Sequence, residues 1–305
     1  MNFNKRLYRN SLFVLGIVAP VMFVLRLITY FSELDVASGF FHGNGTLCNI
    51  YNVAGFLVFF LSLVLSFSKK GSPVSTASPK NNENTELLIH HQEVFDEEEI
   101  YPQYFHQGFT RKTIIWNGTL SAFATFLPGF GFLAYALSLY MGKSITADAF
   151  GILFSALSVL SGAFFIFTAI RNSPELDRKQ AFFALLPALW CTARLVTEYR
   201  DLTRFVNKSL YVGQFLFLIS AMIFFLYQAQ LLLGEESLTR PNSYAFTALP
   251  VVFFGLTARL PQLIAGMADR VRLDLVDSSG LLIDLAITLY VIIKISAIMK
   301  RSRNS

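Results

Sequence analysis

Five ionisable residues stand inside otherwise apolar stretches of this sequence. Arg194 and Glu198 lie one helical turn apart in "LPALWCTARLVTEYR", and Asp284 lies in the last apolar run. Arg26 and Arg259 belong to two further runs, and each is followed by leucine, as Arg194 is. A guanidinium group grips carboxylate or phosphate oxygens with paired hydrogen bonds. These residue types therefore predict either a binding site for an anion or ion pairs between the arginines and the two acids.

The segments that carry these residues are long enough and apolar enough to cross a membrane. Of 305 residues, 54% are hydrophobic and 15% are charged, whereas soluble proteins carry about 25% charged residues. A spanning helix needs about 20 mostly apolar residues. Eight stretches qualify: 11–31, 47–67, 114–140, 147–170, 181–199, 209–233, 244–266 and 279–299. The sequence predicts an all-α, polytopic integral membrane helix bundle that forms a single transmembrane domain over 1–305.

The basic residues between the spans predict the orientation of the chain. With a cytoplasmic N-terminus, 15 lysines and arginines outside the spans fall on the cytoplasmic side and 6 on the outer side. This bias follows the positive-inside rule and predicts that both termini are cytoplasmic. The basic residues form no continuous basic face, so the partner of this surface is the lipid bilayer of the plasma membrane and not nucleic acid.

Prolines precede the arginine layer in the odd-numbered spans and suggest an internal repeat. Pro20, Pro187 and Pro250 are each followed by Arg-Leu after one to three helical turns, whereas Pro128 is followed by tyrosine. Chance recurrence in an apolar composition explains the pattern equally well. If the repeat is genuine, the chain consists of four tandem helical hairpins, and the four prolines are hinges. "LPGFGF" (127–132) is the segment where we expect a broken helix.

The five ionisable residues are predicted to lie at one level in the membrane. The arginines lie about 13 to 15 residues from the cytoplasmic ends of their spans, so about 20 Å along the helix. Glu198 and Asp284 share that depth. Three interpretations follow: the arginines reach the outer headgroups by snorkelling, they form structural ion pairs, or they bind a ligand. Lys294, near the inner end of the last span, is expected to snorkel to the cytoplasm.

No catalytic, metal or cofactor motif is recognisable. The histidines all lie between the spans, at positions 42, 90, 91 and 106, so no span offers haem ligands. We expect no metal, no cofactor and no enzymatic activity. One alternative stays open, a lipid-modifying enzyme with Asp284 or Glu198 as general acid or base.

The segment 68–113 is the longest polar part of the chain. It runs from basic through acidic to aromatic residues and has too little apolar surface to fold alone. We interpret it as a flexible cytoplasmic loop. Residues 85–108 within it are a candidate docking peptide for a cytoplasmic protein partner.

The pattern "LPALWCTARLVTEYRD" followed by "FLFLISAMIFFLYQAQLLLG" resembles a family of multi-pass membrane proteins from anaerobic Gram-positive bacteria. The resemblance covers residues 182–233 and implies a membrane location but no activity. Our functional hypothesis is a transporter or channel-like protein for a small anionic or amphipathic solute. In it, Arg26, Arg194 and Arg259 bind the negative end of the solute, and the two acids are counter-ions. The alternative is a scaffold or regulatory subunit that recruits a partner through 68–113.

Overall fold

The computed structural model describes residues 5–35, 45–67, 118–141, 149–171, 182–202, 211–233, 241–271 and 273–304. Nearly all of these residues are helical. The predicted loop 68–113 and the docking peptide 85–108 lie outside the described residues. In hydrocarbon every peptide group must find its hydrogen-bond partner within the protein, so the apolar runs form helices. Their bounds are α1 Lys5–Ile28, α2 Thr46–Phe67, α3 Gly118–Met141, α4 Ala149–Arg171, α5 Leu186–Leu202, α6 Val212–Leu233, α7 Pro241–Phe254, α8 Leu260–Met267 and α9 Leu275–Asn304.

Short non-α segments extend three of these helices. A π-helical turn, Thr29–Glu33, follows α1, and a 3-10 turn, Phe182–Leu185, precedes α5. A second π-helical turn, Gly255–Arg259, joins α7 to α8 without a break in helical backbone angles. The helices thus cover all eight predicted spans, and the fold is a helical membrane bundle as predicted.

Seven of the described helical segments are long and apolar enough to cross a membrane. The eighth predicted span, α5 with its 3-10 turn, is not among them. α5 itself is 17 residues long and carries four charged residues, Arg194, Glu198, Arg200 and Asp201, so it is both shorter and more polar than the other spans. Two of its charged residues, Arg194 and Glu198, are among those that the sequence singles out for chemistry.

The bundle is built around α9, α6 and the α7–α8 segment. α9 packs along α3 and also contacts α7, α8 and the π turn Gly255–Arg259. α6 packs between α5 and α7, and α4 packs between α3 and α5. The two helices of each predicted hairpin contact each other, although the fourfold repeat itself stays a prediction. Apolar side chains on α1 and α2, such as Phe13, Val21, Val53 and Phe60, face outward where lipid would lie.

The "LPGFGF" segment does not break its helix, contrary to our expectation. α3 runs without interruption from Gly118 to Met141 with Pro128 inside it. The glycines serve close packing instead. A Cβ atom on Gly129 would lie 2.8 Å from Cγ1 of Ile166 in α4, and one on Gly131 would lie 3.3 Å from the Cα atom of Ile283 in α9. Small residues at such positions let membrane helices approach closely.

Candidate functional site

One carboxylate, that of Asp284, binds two arginines from different helices. Its Oδ1 accepts a hydrogen bond from Nη1 of Arg194 at 2.6 Å. Its Oδ2 accepts from Nε of Arg259 at 2.6 Å and lies 2.5 Å from Nη2 of the same residue. Asp284 is 0% exposed, Arg194 3% and Arg259 2%. The three residues therefore form a buried ion triad that links α5, α9 and the π turn between α7 and α8.

Two close approaches of α9 to its neighbours make room for this ion triad. Gly255 begins the π turn and faces Thr288 so closely that a Cβ atom would lie 2.0 Å from Oγ1 of Thr288. Gly280 lies beside Arg194, and a Cβ atom there would lie 2.9 Å from Nη2. The carbonyl of Gly280 also accepts a hydrogen bond from Nη1 of Arg194 at 3.4 Å. The glycines let the guanidinium groups reach a carboxylate that lies one turn further along α9.

A rim of polar side chains surrounds the ion triad and is less deeply buried than it. Glu198 accepts a hydrogen bond from Nε of Arg194 at 2.7 Å, and its side chain is 20% exposed. Nη1 of Arg259 donates to Oε1 of Gln214 and to Oε1 of Gln262, both at 2.7 Å. The second oxygen of Glu198, Oε2, is buried without a hydrogen-bond partner in the described part of the chain. Glu198 in the rim is thus the less buried of the two carboxylates that bind Arg194.

Aromatic rings form the wall on the side of Arg194. Its ζ carbon lies 5.2 Å from the centre of the Trp190 ring and 5.5 Å from that of Tyr135. Such cation–π contacts stabilise a desolvated guanidinium. Trp190 is itself held by a hydrogen bond from Nε1 to Oγ of Ser158 at 2.7 Å. Arg194 is therefore held by aromatic rings as well as by the two carboxylates.

Arg26 occupies a neighbouring cluster and does not bind either acid of the site in the hydrogen bonds described. Its Nη1 donates to Sγ of Cys48 at 3.2 Å. Its ζ carbon lies 4.6 Å from the ring centre of Tyr51 and 5.1 Å from that of Tyr30. The hydroxyl of Tyr51 shares a hydrogen bond with Thr257 at 3.1 Å, and Thr257 belongs to the same π turn as Arg259. The Arg26 cluster is thus connected to the ion triad through that turn.

The positions of the arginines exclude one of the three interpretations, that they extend to the outer headgroups. Arg26 is 1% exposed and is as deeply buried as Arg194 and Arg259. Snorkelling to the headgroups is therefore wrong for all three residues. Snorkelling is also wrong for Lys294, which is 5% exposed and donates to Oγ of Ser121 at 2.8 Å. Ion pairing of Arg194 and Arg259 is present, and the ligand-binding role of the five residues stays a prediction.

The four prolines lie in different parts of their helices. Pro20, Pro128 and Pro250 stand inside α1, α3 and α7. Pro187 is the second residue of α5, behind the 3-10 turn. A proline in the first turn of a helix removes no intrahelical hydrogen bond, so only the first three occupy positions where a bend is forced. Their role as hinges stays a prediction.

Several residues around the arginines were not singled out from the sequence. Gln214 and Gln262 are amides in apolar spans, and that contrast is a signal that could have identified them. Cys48, Tyr30 and Tyr51 give no such signal, because aromatic residues and cysteine are ordinary in apolar helices. No group of three or more metal-ligating side chains occurs in the described residues, and all four histidines lie outside them.

The chain matches no protein-family model, and no curated protein or solved structure is similar to it.

Proposed function

We propose that this integral membrane protein is a transporter for a small anionic or amphipathic solute, which binds at the ion triad and its polar rim. The observation that carries the proposal is the pairing of two buried arginines from different helices with a single buried carboxylate. Ionisable residues inside a membrane bundle are costly and are usually retained along solute pathways. Solute binding here would change how α5, α9 and the π turn are held together.

The charge of the site favours an anion. Arg194 and Arg259 are balanced by Glu198 and Asp284 in the ion triad and its rim, and Arg26 adds a third buried guanidinium in the neighbouring cluster. Arg194 and Arg259 already bind carboxylate oxygens, so their geometry suits the carboxylate or phosphate group of a solute. Glu198 is the group that such a solute would displace from Arg194, since it is more exposed than Asp284.

The π turn supports a transporter in a second way. Non-α backbone at membrane depth is tolerated where it is buried in protein or lines a cavity, and π-helical turns occur frequently at functional sites. Gly255–Arg259 contributes Arg259 to the ion triad and Thr257 to the Arg26 cluster. A change in this turn would move both arginine clusters together.

Uptake by reconstituted vesicles tests the proposal. Purified protein is inserted into liposomes, and the uptake of radiolabelled acetate, lactate and inorganic phosphate is compared with that of empty liposomes. We expect uptake of at least one anion and a loss of about tenfold or more in Arg194→Gln, because a charged hydrogen bond is removed. Arg171→Gln, at the exposed end of α4, is the matched control and should leave uptake unchanged. Equal uptake by both variants, or none by the wild type, contradicts the proposal.

The second candidate is a non-transporting scaffold whose charges only hold the helices together. It is favoured by the fact that the arginines of the ion triad bind protein groups in all the contacts described. For a scaffold, Arg194→Gln should lower the stability, and the double variant Arg194→Gln/Glu198→Gln should restore part of it without any effect on uptake. A partner pulldown that depends on residues 85–108 would support the same candidate.

A further inference from the structure

A second polar cluster lies in the other half of the bundle, where α3 begins and α9 approaches its end. Lys294 donates from Nζ to Oγ of Ser121 at 2.8 Å, and Nζ lies 5.6 Å from the ring centre of Tyr290. The hydroxyl of Tyr290 accepts a hydrogen bond from Nε2 of Gln228 at 2.6 Å. We call these four residues the Lys294 cluster. It joins α3, α6 and α9.

The Lys294 cluster is distinct from the ion triad. Lys294 lies ten residues after Asp284 along the same helix, so the two are about 15 Å apart along its axis. Both are buried within the apolar part of α9. A lysine near a helix end can extend its long side chain to water at little cost, yet Lys294 points into the bundle. Simple anchoring at the membrane surface does not explain this placement.

The groups of the Lys294 cluster are suited to a polar solute. The ammonium group donates hydrogen bonds and carries a positive charge. The amide oxygen of Gln228, Oε1, is buried and has no hydrogen-bond partner among the described residues. A buried acceptor without a donor costs free energy, and a hydroxyl or a protonated acid group would satisfy it. The cluster therefore offers a cation for the negative group of a solute and an acceptor for a hydrogen-bond donor.

We infer that the Lys294 cluster is a second binding station for the transported anion, which it occupies after it leaves the ion triad. The inference rests on the proposed function. α9 contributes a charged residue to both stations and packs against α3 as well as against the π turn. The arginines of the ion triad and Lys294 lie at levels about 15 Å apart along α9. An anion that moves from one to the other would therefore not have to cross a long apolar region without a positive charge nearby. The cluster further predicts that lactate, which has a hydroxyl group, is taken up better than acetate.

Three variants separate binding at the ion triad from passage through the Lys294 cluster. Lys294→Met removes the charge and keeps much of the length, Lys294→Arg keeps the charge, and Arg194→Gln disrupts the ion triad. Lactate-dependent thermal stabilisation of the purified protein reports binding, and lactate uptake by proteoliposomes reports passage. We expect Lys294→Met to keep the stabilisation and to lose uptake about tenfold. Lys294→Arg should retain most of the uptake, and Arg194→Gln should lose both signals.

The outcomes distinguish failure of this inference from failure of the proposed function. If Lys294→Met transports lactate as the wild type does, or loses stabilisation together with uptake, Lys294 is no second station and the transporter proposal stands. If the wild-type protein neither binds nor transports lactate, acetate or phosphate, both proposals fall. Should Lys294→Met not fold, Tyr290→Phe decides, because it keeps the ring and removes only the hydroxyl. Reduced uptake with intact stabilisation supports the station, and unchanged uptake overturns it.

Discussion

At the scale of the residue, Asp284 is the group on which the site depends most. Its two oxygens bind two arginines, and it is completely buried. Asp284→Asn would leave two buried guanidinium groups without this carboxylate, and breaking a buried ion pair on one side costs about 3–5 kcal/mol. We expect a loss of stability of that size, measured by thermal unfolding of the purified protein in detergent micelles.

Glu198→Gln is the control for this prediction. Glu198 binds the same Arg194 at 2.7 Å, but its side chain is 20% exposed. Glu198→Gln leaves Arg194 paired with Asp284 and keeps a hydrogen-bond acceptor at position 198, so this variant should lose less stability than Asp284→Asn. Equal losses in the two variants would mean that the ion triad is not the structural centre of the site.

The residues of the ion triad could be predicted in part. The spacing of Arg194 and Glu198 and the depth of Asp284 are visible in the sequence, because a charged residue in an apolar run is conspicuous. An ion pair between Asp284 and an arginine was one of the interpretations, but the sequence did not show that both Arg194 and Arg259 bind it, since depth along a helix does not give the rotation of its side chains. Arg26 shows the same limit, because nothing in the sequence indicates that its guanidinium contacts Tyr30, Tyr51 and Cys48.

At the scale of the element, the π turn Gly255–Arg259 positions the site, and it makes a testable prediction. A methyl group at Gly255 would lie 2.0 Å from Oγ1 of Thr288, so α9 and the turn must separate in Gly255→Ala. Overpacking of this kind costs about 1–3 kcal/mol. We expect a clear fall in the unfolding temperature and reduced lactate uptake, because Arg259 would move away from Asp284.

Gly16→Ala is the matched control, since a Cβ atom on Gly16 of α1 meets no atom within 4 Å. Alanine favours helix over glycine by about 1 kcal/mol, so this variant should be as stable as the wild type or slightly more stable. A Gly255→Ala protein that unfolds at the temperature of Gly16→Ala would show that the packing of the π turn against α9 is loose.

The helices themselves were predicted well and their irregularities poorly. Apolar runs of about 20 residues specify spanning helices, and each predicted span has its helix. The π turns have no comparable signal, since a single extra residue in a helical turn leaves the apolar pattern almost unchanged. Pro128 and its neighbouring glycines gave the converse error: the sequence signal was present, but the irregularity was not. They suggest a break, but α3 tolerates the proline, and the glycines allow contact with α4 and α9.

At the scale of the whole molecule, Arg26, Arg194, Arg259, Asp284 and Lys294 are buried between the helices, and large apolar side chains are exposed on the described spans. The ion triad and the Lys294 cluster both lie between helices, whereas α1 and α2 expose their phenylalanines, valines and leucines. This distribution is the inverse of a soluble protein and fits a bundle surrounded by lipid. α9 reaches both polar clusters, so it is the helix through which one could influence the other.

The number of spans decides toward which side of the membrane each cluster lies. Seven spans would place the two termini on opposite sides, and eight place them on the same side. α5 decides the matter, because it is the predicted span that is not among the seven helices long and apolar enough to cross a membrane. Its 17 residues and the 4 of the preceding 3-10 turn reach about 33 Å, which is enough to cross a hydrocarbon layer of about 30 Å. Arg194 on this helix is buried and paired, so its charge is not exposed to lipid.

We therefore expect eight spans with both termini in the cytoplasm, as the excess of basic residues on that side predicts. Alkaline phosphatase, which is active only outside the cytoplasm, is fused at residue 305 and, in separate chains, within 172–181 and within 203–210. Only the fusion within 203–210 should be active, since the other two sites are predicted to be cytoplasmic. Activity at residue 305 with none within 203–210 would mean that α5 does not cross the membrane.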